Sequence, residues 1–166
     1  MEKTNIILIG AAGVGKTTVG RALAEKQKKL FYDSDAVFES RFGSISEFFD
    51  RYGEAMFRVE EGKILYELSK KENAVLGVGG GAVLSPAMSY LRQSGVIVLL
   101  TAETETIVAR LKGDGSRPLL KGDLKGRIET LKGERAPLYK KYADAVISTD
   151  GKSTDEIVSS IVSFVK

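Results

Sequence analysis

Eight residues, Gly10-Ala11-Ala12-Gly13-Val14-Gly15-Lys16-Thr17, follow the pattern GxxxxGK[ST]. Glycines at those places let the backbone turn with its N–H groups facing one point, where an anionic phosphate is held. Lys16 brings a mobile positive charge to the outer phosphates of a nucleotide, and Thr17 places a hydroxyl on Mg²⁺. Gly13, Val14, Gly15, Lys16, Thr17 and Thr18 are therefore the candidate phosphate-binding residues. A glycine-rich turn that binds nothing has no reason to carry Lys and Thr at those two positions.

A second constellation is Asp33-Ser34-Asp35. In extended chain, residues two apart face the same side, so both carboxylates could point into one cleft. One would orient Mg²⁺ through water and the other would accept the proton of an attacking hydroxyl. The plainer use is structural, with Asp35 as the N-cap of a helix starting at Ala36. Gly79-Gly80-Gly81 reads either as a loose strand exit or as bare backbone that a polyol can approach. Among the arginines, Arg58 has Glu61 three residues on to orient it, Arg117 falls in a glycine-hinged loop, and Arg135 precedes Pro137-Leu138-Tyr139. A guanidinium clamps a carboxylate or phosphate with two parallel hydrogen bonds, although a lone helical arginine is ordinarily a solvated surface residue.

The elements that must position these groups are legible as alternating strands and helices. Ile6–Ile9 is an apolar run leading into the glycine-rich loop, and Thr18 to Lys29 has helical spacing. Leu30-Phe31-Tyr32 is a short strand ending at the acidic pair. Ser44 and Glu47 form a capping box, and Gly53 closes that helix before a longer one from Glu54 to about Lys70. Ala74–Val78 is a third strand, and Ser85-Pro86 caps the helix after the triple glycine. Val96–Leu100 is a fourth strand, followed by a helix over Glu105–Leu111 and a lid over about 112–122 hinged at Gly113 and Gly115. A helix from Leu124 to Tyr142, a strand at Ala145–Ile147 and a final helix capped by Ser153 and Glu156 complete the chain. Continuous apolar strands separated by helices predict a parallel sheet covered on both faces, with ligands beyond the carboxyl ends of its strands.

Composition narrows the chemistry. The 166 residues fit a single domain, and the chain has neither cysteine nor histidine. Thiol chemistry, disulfides, imidazole catalysis and the common zinc sites are excluded, leaving carboxylates, Lys, Arg, hydroxyls, backbone and a hard metal. The net charge of +3 is spread along the chain without an aromatic-plus-basic RNA motif, which points to small anionic ligands and not to nucleic acid. No run is long and apolar enough to span a membrane, and the N-terminus enters the first strand without a signal-peptide pattern, so the expectation is a cytoplasmic protein.

Taken together, these stretches resemble the shikimate kinases over almost the whole chain. The resemblance is carried by Gly10 to Thr17, Asp33-Ser34-Asp35, Gly53-Glu54-Ala55-Met56-Phe57-Arg58 with Glu61, Gly79-Gly80-Gly81, Arg117-Pro118-Leu119-Leu120, and Arg135 with Pro137-Leu138-Tyr139. It implies an α/β three-layer sandwich, a P-loop kinase fold with a five-stranded parallel sheet and a mobile lid. It also implies ATP as phosphoryl donor, Mg²⁺ as cofactor, the 3-hydroxyl of shikimate as acceptor, and a monomer. On this resemblance the acceptor is held by a helical region over about 34–61. Arg58 and Arg135 clamp its carboxylate, while Asp35 with the backbone of Gly79, Gly80 and Gly81 holds its hydroxyls. Asp33 and Thr17 hold Mg²⁺, Arg117 closes onto the phosphates, and Lys16, Asp35 and Arg117 are the catalytic set, with Asp35 either orienting or deprotonating the hydroxyl.

Two departures stand out. The fourth strand ends in Thr101 without the acidic residue that many P-loop enzymes use for Mg²⁺, which transfers that role to Asp33. Lys152 stands where the family often has an arginine packing on adenine, which leaves more of that contact to Arg110. The nearest rival is a gluconate or other sugar-acid kinase. A catalytically silent nucleotide binder is a more distant one, because Lys16, Asp35 and Arg117 are all present.

Overall fold

The computed structural model describes residues 3–111 and 123–166. Five strands, β1 (Asn5–Ile9), β2 (Leu30–Asp33), β3 (Ala74–Gly77), β4 (Gly95–Thr101) and β5 (Ala145–Ser148), form one sheet in the order β2-β3-β1-β4-β5, and every pairing is parallel. Among the described residues seven helices connect and cover them: α1 (Lys16–Gln27), α2 (Ser34–Phe42), α3 (Ile45–Ser69), α4 (Met88–Ser94), α5 (Thr104–Leu111), α6 (Leu124–Tyr142) and α7 (Thr154–Val165). The expected three-layer α/β sandwich is the one observed.

The continuous apolar character of the central strands has a direct cause. Successive side chains of β1 alternate between two cores. Ile7 and Ile9 join Leu76, Ile97 and Leu99 beneath α2, α3 and α4, whereas Ile6 and Leu8 join Val75, Val98 and Leu100 beneath α1, α5 and α7. Both faces are buried, so neither set of positions tolerates polar residues.

Parallel pairing sends every strand's carboxyl end to one edge. There β1 delivers the glycine-rich loop, β2 delivers Asp33 and β3 delivers Gly79 to Gly81. The order of strands puts β3 between β1 and β2, so the triple glycine leaves the sheet between the phosphate loop and the acidic pair.

Local details depart from the sequence reading at two places. The cap of α2 is Asp33, whose carboxylate accepts from the N–H groups of Asp35 and Ala36, and the helix begins at Ser34. Asp35 therefore lies in the first helical turn, so the same-side argument from extended chain does not apply to it. Ser85 and Pro86 do not open α4. A short 3₁₀ turn covers Ala82–Leu84, Ser85 Oγ accepts from Ala87 N–H, and the helix starts at Met88. Gly53, by contrast, separates two helical stretches within α3 as read, since its φ of 85° and ψ of 170° break the helical path.

The α2–α3 corner is held by aromatic rings. Phe38 is 1% exposed and contacts Phe42, Phe48 and Phe57 at centroid distances of 4.9, 5.0 and 4.8 Å. Burying a Phe of this kind stabilises a fold by about 1.5–3 kcal/mol, and the pairwise ring geometry adds to that. Phe38 lies one turn from Asp35, and Phe57 precedes Arg58, so the rings fix two candidate site residues against each other.

Candidate active site

The phosphate loop is shaped by its glycines. Gly13 and Gly15 have φ of 86° and 99°, a conformation that L side chains rarely adopt, and Gly15 is the N-cap of α1. No side chain caps that helix end and its first turn carries no acidic residue. The donors at the start of α1, with the positive end of the helix dipole behind them, form a cradle that suits a phosphate. Lys16 Nζ donates to the carbonyls of Gly10 and Ala11 at 2.6 and 3.0 Å, which keeps the amine over the same loop. Thr18 continues α1 beside these residues.

At the next strand end, Thr17 Oγ1 donates to Asp33 Oδ2 at 2.8 Å. A hydroxyl and a carboxylate, both hard oxygen donors, are the ligand types of Mg²⁺, which takes one or two protein ligands and leaves its remaining positions to phosphates and water. The residues present fit that ion. Among the described residues there is no cluster of three or more acidic residues that would make an all-protein metal cage.

Beside the loop lies an open cleft of about 100 Å³. Asp35, Arg58, Gly79, Gly80, Gly81 and Arg135 all line it. A second chamber holds Lys16, Thr17 and Asp33, and the two share Ala12, Asp35, Ile45 and Gly80. Asp35 thus stands at the junction between the phosphate side and the acceptor side.

Arg58 is anchored before any ligand arrives. Its Nη1 donates to Glu61 Oε1 at 2.8 Å, and Glu54 adds a longer contact of 3.4 Å. The guanidinium lies against Gly81, where a Cβ would push it out of this position. Glu61 is 3% exposed, and burial raises its pKa from the ordinary value. Arg58 and, less strongly, Arg135 pull it back toward ionisation, whereas Asp35 pushes it further up. Arg135 comes from α6 and is 8% exposed, so neither it nor Arg58 is the solvated surface residue that a lone helical arginine ordinarily is.

Arg110 Nη1, on α5, donates to Gly13 O at 3.0 Å. Lys152 follows Asp150, which accepts from Glu103 N–H and Thr106 Oγ1 at 2.9 Å each and so ties the 149–152 loop to the start of α5. Arg110, close enough to lower the pKa of Asp150, and the loop bearing Lys152 flank the phosphate cradle on the β4–β5 side. Arg117 and the lid lie outside the described residues.

A family profile described as shikimate kinase matches residues 12–166. The chain belongs to the shikimate kinase family. A shikimate kinase of Legionella pneumophila (strain Corby) is 43% identical over 163 residues, covering 96% of this chain and 93% of that one. A shikimate kinase of Pelotomaculum thermopropionicum is 42% identical over 165 residues, covering 98% and 95%. Among solved structures, shikimate kinase from Acinetobacter baumannii in complex with shikimate superposes with a TM-score of 0.95 at 36% identity, covering 98% of this chain and 93% of that one. Membership of the shikimate kinase family accounts for the shared architecture, from the phosphate loop to the triple glycine.

Some residues lining the cleft of this shikimate kinase family member escaped the sequence reading. Tyr139 hydroxyl donates to Gly80 O at 2.9 Å, and Lys132, one turn before Arg135, lines the cleft with Nζ 3.3 Å from Thr104 Oγ1. Phe49 and Phe57 form an apolar wall of the same cleft. Helical spacing from Arg135 was the available signal for both Tyr139 and Lys132, since positions three and four apart share a face.

Proposed function

We infer that this protein transfers the γ-phosphoryl group of ATP to the 3-hydroxyl of shikimate, giving shikimate 3-phosphate and ADP. The observation that carries the reading is the convergence of Arg58, Arg135 and the glycine turn in one cleft that opens at Asp35 onto the phosphate loop. Two guanidiniums suit the carboxylate of a rigid ring acid, and bare backbone suits its hydroxyls.

Phosphoryl transfer asks little covalent help from a protein, so this chain contributes alignment and charge. The N–H groups at the start of α1 and the amine of Lys16 hold the phosphates. Asp35 accepts a hydrogen bond from the acceptor hydroxyl and turns its oxygen toward the phosphate side. Arg58 and Arg135 fix the carboxylate at the other end of the ring, so that the hydroxyl has one orientation. Arg110 and Lys152 flank the adenine. Thr17 and Asp33 would hold Mg²⁺, which when bound supplies neutralisation of charge on the phosphate oxygens. Arg117 serves the phosphates from the segment that follows α5. In this reading the enzyme works as a cytoplasmic monomer of one domain. No helix among the described residues is long and apolar enough to cross a membrane.

The deciding experiment is ADP release from ATP and Mg²⁺ with shikimate, with gluconate and with neither. Release that depends on shikimate is the expected result. Release with gluconate alone would keep the nucleotide site and overturn the acceptor.

A further inference from the structure

The turn Gly79-Gly80-Gly81 has no side chains of its own with which to fix its shape, and a run of glycines has more backbone freedom than any other tripeptide. It is nevertheless held from two sides by hydroxyls. Gly79 N–H donates to Ser34 Oγ at 2.9 Å, with both residues buried, and Gly80 O accepts from the Tyr139 hydroxyl at 2.9 Å.

We propose that Ser34 and Tyr139 are positioning residues of the acceptor site, whose two hydroxyls pin the glycine turn in register with Asp35 and Arg135. The proposal rests on the shikimate reading given above. Ser34 stands between the two aspartates, so its bond to Gly79 also sets the gap between Asp35 and the turn. That gap is narrow: a Cβ on Gly79 would come within 2.7 Å of Asp35 Oδ1. Tyr139 lies four residues after Arg135 on α6, on the same helix face, so its bond to Gly80 sets the guanidinium of Arg135 over the turn. At Gly80 the approach is looser, with Arg135 Nη1 in ordinary contact at 3.6 Å from a Cβ placed there. Burial keeps the Tyr139 hydroxyl protonated well into the alkaline range, and it therefore stays a donor. Removing the Ser34 hydroxyl strands the buried Gly79 N–H, and removing that of Tyr139 takes the donor from the half-buried Gly80 carbonyl, so each group must find water or move. In a turn of three glycines, moving is the easier course.

The test is calorimetric binding of shikimate and of ADP to the intact protein and to Tyr139→Phe and Ser34→Ala, with steady-state kinetics on the same samples. Each variant is expected to weaken shikimate binding about tenfold while ADP binding changes by less than about twofold, and the shikimate KM to rise more than kcat falls. Tyr139→Phe keeps the ring and nearly all its volume, so it decides the matter alone if Ser34→Ala does not fold. Shikimate binding within about twofold of the unmodified protein, or equal weakening of shikimate and ADP, overturns the proposal. Lack of shikimate binding by the unmodified protein would instead remove the functional reading, and the proposal with it.

Discussion

Thr17 and Asp33 are hydrogen-bonded at 2.8 Å although they follow β1 and end β2, two strands separated in the sheet by β3. Asp33 divides its carboxylate between two tasks. Oδ1 caps α2 through the N–H groups of Asp35 and Ala36, and Oδ2 faces the Thr17 hydroxyl. Its contribution to the fold and the contribution to metal binding proposed for it can therefore be separated by substitution. Asp33→Asn keeps an oxygen for the cap and removes the charge. Its melting temperature should stay close to that of the unmodified protein, while the Mg²⁺ concentration for half-maximal activity rises about tenfold. Asp33→Ala should add a loss of about 1 kcal/mol in stability, measured by denaturant unfolding. An unchanged Mg²⁺ requirement in Asp33→Asn would remove the metal assignment.

Arg58→Ala removes a charged donor that is already oriented by Glu61. The shikimate KM should rise on the order of tenfold to a hundredfold, with the ATP KM nearly unchanged. Equal effects on both substrates would contradict a carboxylate clamp.

Glu61 carries a dependence on pH whose sign follows from its burial. Its folded pKa is raised above the ordinary glutamate value of 4.5, so the folded state binds its proton more tightly than the unfolded state. The stability from this group is fully present below pH 4.5 and is lost as pH rises through the higher folded pKa. Unfolding free energies of the unmodified protein and of Glu61→Gln, measured across this range, should therefore differ by an amount that shifts against Glu61 as pH increases from 4.5. A pH-independent difference would show that Arg58 and Arg135 offset the desolvation completely.

Asp150 anchors the loop that carries Lys152 to the start of α5, and its pKa is lowered chiefly by the hydrogen bond from Thr106. Asp150→Ala should free that loop from α5 and raise the ATP KM about threefold to tenfold, leaving the shikimate KM in place. A shikimate KM that moved with it would mean the loop supports more than the nucleotide.

The order of strands and helices was readable because the relevant patterns are local: apolar runs of strand length, glycine-rich exits, and capping boxes such as Ser153 with Glu156, which forms as read. The phosphate loop was equally plain, since its chemistry lies within eight consecutive residues. The N-cap of α2 was misplaced by two residues because Asp33 and Asp35 have equal capping ability, and only the hydrogen bonds to Oδ1 distinguish them. Tyr139 and Lys132 were missed for a different reason. A tyrosine one turn from an arginine has many uses, and its partner, Gly80, is 59 residues away in the chain. Pairings of that range depend on how the layers stack, which no local pattern encodes.

The ring cluster of Phe38, Phe42, Phe48 and Phe57 has a further consequence for how this fold diversifies. Interlocked rings make α2 and the first half of α3 a single rigid block, with Asp35 at one end and Arg58 at the other. Two of the groups proposed to read the acceptor thus travel as a cassette within residues 34–61, on the far side of β3 from the phosphate loop. Exchanging that cassette would change which alcohol is recognised while leaving the donor machinery intact, so acceptor choice can drift in this scaffold without rebuilding its nucleotide site.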